Sequence, residues 1–369
     1  MTDILVISLN DDGTLNQLEG RISEFVSLLW TVRPFESSDF ELTLFPTDEN
    51  LLLFGVGDGF GTNRILVLDD ANLGYQLYPM MVEKVVLESS VEDGDNLRLS
   101  GRDMASVFLS SRIIPQQYNA GTDLQTIAEE LLASHFATAG DRYISIIMDE
   151  DYPLQGTVEE KQFCGETIYE VLKTYCEDLK LMIVPYVDSL WDTTVETPKL
   201  HFMGVSPEDK TSTVMFQPQS DNLISINYSI DAQSYKTTAY VGGEGEGDQQ
   251  KIEVVAGEET GINRREMWVA YSESSSNEGE ITEEEYTTML QSEGTDKLTD
   301  NNKNLQTFDA EVEDGVMYTF GYSMDYFVGD KVSVANNYGI QATGRVSELI
   351  ISYDDSGRRV YPKFNFEED

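Results

Sequence analysis

Short runs rich in β-branched and aromatic residues, each closed by Asp, Asn or Gly, fill both ends of this chain and limit its fold more than any other feature. In residues 1–118 they read ILVISL, ISEFVSLLWTVR, DFELTLF, RILVLD, YPMMVEKVVLESS and NLRLSGR. Short strands in such succession predict a closed or nearly closed barrel rather than a doubly wound sheet. After Gly101, RDMASVFLSSRII predicts one short helix with Met104, Val107 and Phe108 on a single face.

The texture changes over 119–213. Thr122 or Asp123 can cap a helix through LQTIAEELLASHF, in which Leu124, Ile127, Ala128, Leu131 and Leu132 keep the helical period. A strand, RYISIIMD, follows. A second amphipathic helix, GETIYEVLKTYCEDLKL, and the strands MIVPYV and PKLHFMGV complete a small α+β domain. Strand texture returns over 214–369, interrupted at 272–306 by an acidic, Ser-rich segment carrying Glu278, Glu280, Glu283, Glu284 and Glu285. A helix from Thr282 to Gln291 is expected there, because Glu in the first turn complements the dipole and Tyr286, Met289 and Leu290 give one apolar face. Asp354 to Gly357 predicts a hairpin turn with Gly at positive φ. The expected plan is mainly β with an α+β insert: a first β-barrel at 1–118, the α+β domain at 119–213, and a second β-barrel at 214–369 with an acidic helical insertion.

Charge narrows the partners. With 24 Lys and Arg against 67 Asp and Glu, the net charge is −43, and such a surface repels phosphate backbones and anionic membranes. A halophile, a calcium binder or plain solubility gives the same composition. Cys164 and Cys176 have neither zinc-pair nor disulfide spacing, and buried free thiols on one helix are expected. The start, MTDILVISLNDD, lacks the cationic stretch and apolar core of a signal peptide, and no later apolar run is long enough to cross a bilayer. The expectation is a chain made in the cytoplasm, without membrane anchoring, that stays soluble or leaves by lysis.

Few motifs point to chemistry. Gly55, Gly57, Gly59 and Gly61 miss the dinucleotide spacing, with Phe60 and Thr62 where a third Gly is needed, and read as a hairpin or flexible loop. The run Gly242-Gly243-Glu244-Gly245-Glu246-Gly247 places carboxylates where a phosphate cradle needs bare amides. His135 shares a helix with Glu130 but has no second His one turn away, and His201 sits in a strand, so zinc chemistry has little support. Asp149 with Asp151 is a conceivable acid pair for glycoside hydrolysis, a signal of almost no specificity among 67 carboxylates. The acidic clusters Asp149 to Asp151 and Glu283 to Glu285 could take a hard cation, yet neither matches an EF-hand. No catalytic residue, metal or cofactor is expected.

Five stretches occur in an order that carries more information than any one of them. They are Trp30-Thr31-Val32-Arg33-Pro34 with Phe40-Glu41-Leu42; Leu99-Ser100-Gly101-Arg102-Asp103-Met104; Asn222-Leu223 with Tyr228; Ala239-Tyr240-Val241-Gly242-Gly243-Glu244-Gly245; and Val328-Gly329-Asp330-Lys331-Val332 with Gly344-Arg345-Val346. In that order they resemble the siphovirus ReqiPepy Gp37-like tail proteins of long-tailed phages, which are similar in plan to contractile-phage baseplate hubs and to type VI spike bases. The resemblance implies two related barrels per chain and a homotrimer whose six barrels adapt a sixfold tail tube to a threefold tip. It further implies contacts with the distal tail protein ring, the tape measure protein and receptor-binding or fibre proteins. DNA would pass through an acidic channel without specific binding, and the place would be the virion tail tip, assembled in the host cytoplasm. Its signature positions are Arg33, Gly101, Arg102, Gly242, Gly243, Glu244, Gly329, Asp330, Lys331 and Arg345. Relatives of this plan often continue into a peptidase, lysozyme or fibre-like extension, whereas this chain stops after YPKFNFEED, so a structural and not an enzymatic role is expected. A tail-associated cell wall hydrolase and, from the 19 Tyr and 3 Trp, a carbohydrate-binding adhesin are the alternatives.

Overall fold

In a computed structural model of the chain, the described residues are 3–10, 15–57, 63–70, 77–90, 94–136, 147–188, 199–245, 247–271, 282–302, 306–312, 318, 321, 324–339 and 341–366. They form two units, Met1–Ile226 with Ala310–Phe364 and Asn227–Asp309 with Asn365–Asp369. The fold is mainly β, as the strand-like segments predict.

The first unit opens with β1 (Asp3–Leu9), β2 (Leu15–Ile22), β3 (Ser27–Val32), β4 (Asp39–Leu44), the short helix α1 (Asp48–Leu53), β5 (Arg64–Asp69), β6 (Met80–Ser90) and β7 (Gly94–Asp103). ISEFVSLLWTVR is not one strand. β2 ends at Ile22 beside β1, and β3 starts afresh at Ser27 with Leu28, Trp30 and Val32 buried and Leu29 exposed. Helix α1 was not legible as such; Thr47 caps it by accepting the Asn50 N–H.

Next come α2 (Met104–Ser110), β8 (Tyr118–Asn119), α3 (Leu124–His135), β9 (Ile147–Met148), β10 (Gln162–Phe163), α4 (Ile168–Leu179), β11 (Met182–Val187), β12 (Leu200–Val205), β13 (Met215–Phe216) and β14 (Leu223–Ile230). Of the strand RYISIIMD, the positions 142–146 lie outside the described residues. Asp123, not Thr122, caps α3, and Thr167 with Glu170 closes a reciprocal capping box on α4. Their apolar faces meet the inner side of the N-terminal strands in one core, where Leu5, Ile7, Ile65 and Val67 join Met104, Leu131 and Val171. Cys176 lies in that core, and burial pushes its thiol up to about 12. Cys164, expected to be buried on the same helix, is exposed: it follows β10 in the turn before α4 begins.

The second unit holds β15 (Thr238–Gly242), β16 (Ile252–Ala256), β17 (Glu266–Ala270) and α5 (Glu283–Asn302). β15 is central, antiparallel to β16 and parallel to β17. Helix α5 covers one sheet face, with Tyr286 and Leu290 against Ala239, Val241 and Val269. It runs well beyond the expected end at Gln291, and the third buried position on its face is Gly294 rather than Met289. The Ser-rich stretch with Glu278 and Glu280 lies outside the described residues.

β18 (Gln306–Val312), β19 (Lys331–Ala335), β20 (Gln341–Asp354) and β21 (Gly357–Phe366) complete the chain. In the first unit the large sheet runs β21-β20-β3-β4-β7-β6-β5-β1-β2, with β19 on β20 and β13 on β19. Gly357, at φ +102°, makes the expected turn between β20 and β21.

Candidate functional site

The signature residues of the first unit sit at joints between strands. Phe40 stands opposite both Trp30, its ring centroid 5.7 Å away, and Gly101. The register of β6 and β7 shifts between Val82 and Lys84, which leaves Glu83 as the extra residue of a bulge. That bulge brings the Met81 carbonyl oxygen to 1.8 Å from where a Gly101 β-carbon would be, so only glycine fits. Arg102 then grips Glu83 with two bonds of 2.8 and 2.7 Å.

Arg33 sits at the end of β3. Its Nε donates to Glu348 on β20 at 3.1 Å, and Nη1 donates to the Ser37 carbonyl at 2.7 Å and to the Asp39 carboxylate. Burial opposes its charge, but the bonds to Asp39 and Glu348 outweigh it and the guanidinium is held above its ordinary value. Glu348 also accepts from Lys363 Nζ at 3.0 Å.

The second signature group closes around Asp330. Gly329, at φ +90°, donates its N–H to Val346 at 2.7 Å, and Arg345 Nη1 caps the Gly329 carbonyl at 2.7 Å. Asp330 accepts the N–H of Phe327 at 2.8 Å and that of Glu208 at 2.7 Å. Lys331 stands opposite Arg345 in the β19–β20 ladder and donates its N–H to the Glu208 carbonyl.

Asp103, quoted in the LSGRDM stretch without a role of its own, repeats this device. Its carboxylate accepts the Ser106 N–H at 2.9 Å, which caps α2, and the Ser38 N–H at 2.8 Å from a distant loop. Burial raises the carboxyls of both Asp103 and Asp330, against the pull of those bonds. An Asp directly before a helical segment was the available signal.

Gly242, Gly243 and Glu244 belong to the second unit. A β-carbon on Gly242 would meet the Trp268 ring at 2.2 Å, and one on Gly243 would meet the Tyr286 hydroxyl at 2.7 Å. The glycine pair therefore lets an indole lie on one side of β15 and helix α5 on the other. Glu244 contributes its backbone, donating its N–H to the Tyr286 hydroxyl at 2.9 Å.

The residues weighed for chemistry are spent locally. Asp149 accepts the N–H groups of Asp151 and Tyr152 and the Tyr186 hydroxyl. Burial works the other way, yet these bonds keep its carboxyl below the ordinary range, opposite to what a general acid needs. His201 stacks on Tyr186 at 4.9 Å and meets Asp188 at 3.1 Å. His135 turns back on its own helix, with Nδ1 3.0 Å from the Leu131 carbonyl. Among the described residues no group of three His, Cys, Asp or Glu is placed to hold a metal ion. A small, partly open cleft lined by Arg33, Tyr78, Asp103, Ser106 and Tyr169 has a volume of about 30 Å³, too little for a substrate larger than a few water molecules.

The family model described as Siphovirus ReqiPepy6 Gp37-like protein matches residues 9–364. A tail protein from Neisseria meningitidis MC58 is similar over 99% of this chain and 97% of its own, at 15% identity and a TM-score of 0.58. The 43 kDa tail protein of prophage MuSo2 from Shewanella oneidensis is similar over 98% of each chain, at 14% identity and a TM-score of 0.60. A chain of the Francisella PdpA-VgrG complex is similar over 99% of this chain and 58% of its own, at 9% identity and a TM-score of 0.53. At such identities the likeness is one of fold. No curated protein matches the chain significantly.

Proposed function

We propose a structural role for this chain from a plain premise: it belongs to the siphovirus ReqiPepy6 Gp37-like family. It is a baseplate hub protein of a long-tailed phage tail. Three copies form a ring that closes the tail tube, with residues 1–118 and 214–369 each supplying a barrel and 119–213 an α+β domain between them. Six barrels from three chains adapt the sixfold tube to a threefold tip. The ring contacts the distal tail protein ring, the tape measure protein and the receptor-binding or fibre proteins, and it becomes part of the virion after assembly in the host cytoplasm.

The observation that carries this reading is where the signature residues go. Gly101 and Arg102 fix a bulge, Arg33 ties β3 to β20, and Asp330 with Arg345 fixes the entry to β19. These are the requirements of a rigid subunit. A net charge of −43 suits a lumen through which DNA passes without adhering, since carboxylates repel phosphate. Labelling particles with antibody against the purified chain tests the role: label at the tail tip supports it, and label absent from particles refutes it. Zymography on peptidoglycan separates it from a cell wall hydrolase, for which a cleared zone is expected.

A further inference from the structure

The sheet of the second unit has two faces, and helix α5 covers one of them. By strand alternation the other carries Tyr240, Gly242, Ile252, Val254 and Trp268. The register sets Val254, Tyr240 and Trp268 side by side across the three strands, with Ile252 beside Gly242 in the next row. Ile252, Val254 and Trp268 remain 45%, 46% and 53% exposed, and contiguous exposed apolar side chains of this kind mark interaction sites. Trp268 is held in place: its ring occupies the space that Gly242 leaves empty. Tyr240 is fixed as well, since its hydroxyl accepts from Arg264 at 3.1 Å and donates to Glu266 at 3.2 Å. Ordered aromatic groups in an apolar centre are what protein interfaces concentrate.

The charges bordering this face choose the occupant. Exposed Glu244 and Glu258 follow the ends of β15 and β16, while Glu266, at the start of β17, is paired with Arg264. Residues 227–309 carry 18 acidic against 6 basic side chains. Four of the basic ones are already engaged: Arg264 with Glu266, Arg265 with the Ala232 carbonyl, Lys251 with Thr287, and Lys297 with Glu293. The same face of a second copy would bring like charge against like here, and a nucleic acid would meet the same repulsion. We infer that this face docks a different protein of the tail, one that presents aliphatic or aromatic side chains ringed by Lys and Arg. The inference rests on the structural role proposed above and names a partner surface for it.

The test uses the full chain in tail particles, with Val254→p-benzoylphenylalanine as a photo-cross-linker. Irradiation is followed by mass spectrometry of the linked peptide. The expected result is a peptide of another tail protein, linked at an apolar residue with Lys or Arg nearby. In a second arm, Val254→Glu should unfold at the same temperature as the parent, because the position is half exposed. It should nevertheless lower the partner's copies per particle at least about tenfold, since a charge placed in an apolar centre is left unpaired. Absence of the chain from particles overturns the structural role and this inference with it. A chain present in particles whose position 254 links only to its own copies, or to no chain, overturns the inference alone.

Discussion

Arg33 and Glu348, 315 positions apart in the chain, are joined by a 3.1 Å ion pair between the end of β3 and the middle of β20. Both side chains are largely buried, and removing Arg33 leaves Glu348 with Lys363 as its remaining ion partner and Asp39 without its guanidinium. Arg33→Met is expected to cost about 1–3 kcal/mol in urea unfolding. Arg33→Lys, which keeps the charge but loses the fork, should recover only part of that. An unchanged midpoint in both variants would remove this pair from any role in the fold.

Gly101→Ala places a methyl group 1.8 Å from the Met81 carbonyl oxygen, so the bulge at Glu83 must open. A loss above about 3 kcal/mol, or no folded protein, is expected. Gly121→Ala is the control, because its β-carbon meets nothing within 4 Å. Thermal melts of the two variants should differ by at least about 5 °C.

Gly294→Ala sets two effects against each other. Within a helix, alanine is favoured by about 1 kcal/mol. Its methyl would stand 2.7 Å from methyl groups of both Val241 and Val255, forcing α5 off the sheet. The clash is expected to win, giving a net loss of stability by circular dichroism. Tyr286→Phe, which removes the hydroxyl to which the Glu244 N–H donates, should cost about 1 kcal/mol.

Acid should act on two sets of carboxyls with opposite sign. Asp123, Glu170 and Glu285 are held below their ordinary values by hydrogen bonds at helix starts, to Thr126, Thr167 and Thr282 respectively. Their stabilisation is present above the ordinary carboxylate pKa and is lost as pH falls through the lowered folded value. Asp103 and Asp330 are raised by burial, so the folded chain takes up those protons first. Their contribution grows as pH falls through the raised value towards the unfolded one. Glu285→Gln should flatten the acid limb of stability against pH measured on α5, whereas Asp103→Asn should remove the rise that accompanies protonation of Asp103 as pH falls through its raised folded value.

The helical period made α3 and α4 legible, since Leu124, Ile127 and Leu131 or Ile168, Val171 and Leu172 recur on one face and an Asp or Thr stands before them. The extent of α5 was not legible, because Gly294 and four threonines argue against a helix locally. Its far half exists because Gly294 allows close packing on Val241 and Val255. The break between Ile22 and Ser27 was hidden by an unbroken apolar texture, and only the change of partner from β1 to β4 and β20 explains it. At the candidate site, Gly101, Arg102 and Asp330 stood out in the sequence, while Glu83, Asp103, Glu348 and Trp268 did not. Each of these matters through a residue far away in the chain, which spacing alone does not reveal.

Counting the copies of this chain in a reconstructed tail tip tests the hub reading most directly. Three copies in a closed ring about the tail axis, with Asp and Glu facing the lumen, is the predicted result. A single copy that contacts no other, or a ring whose lumen is lined by Lys and Arg, would contradict it.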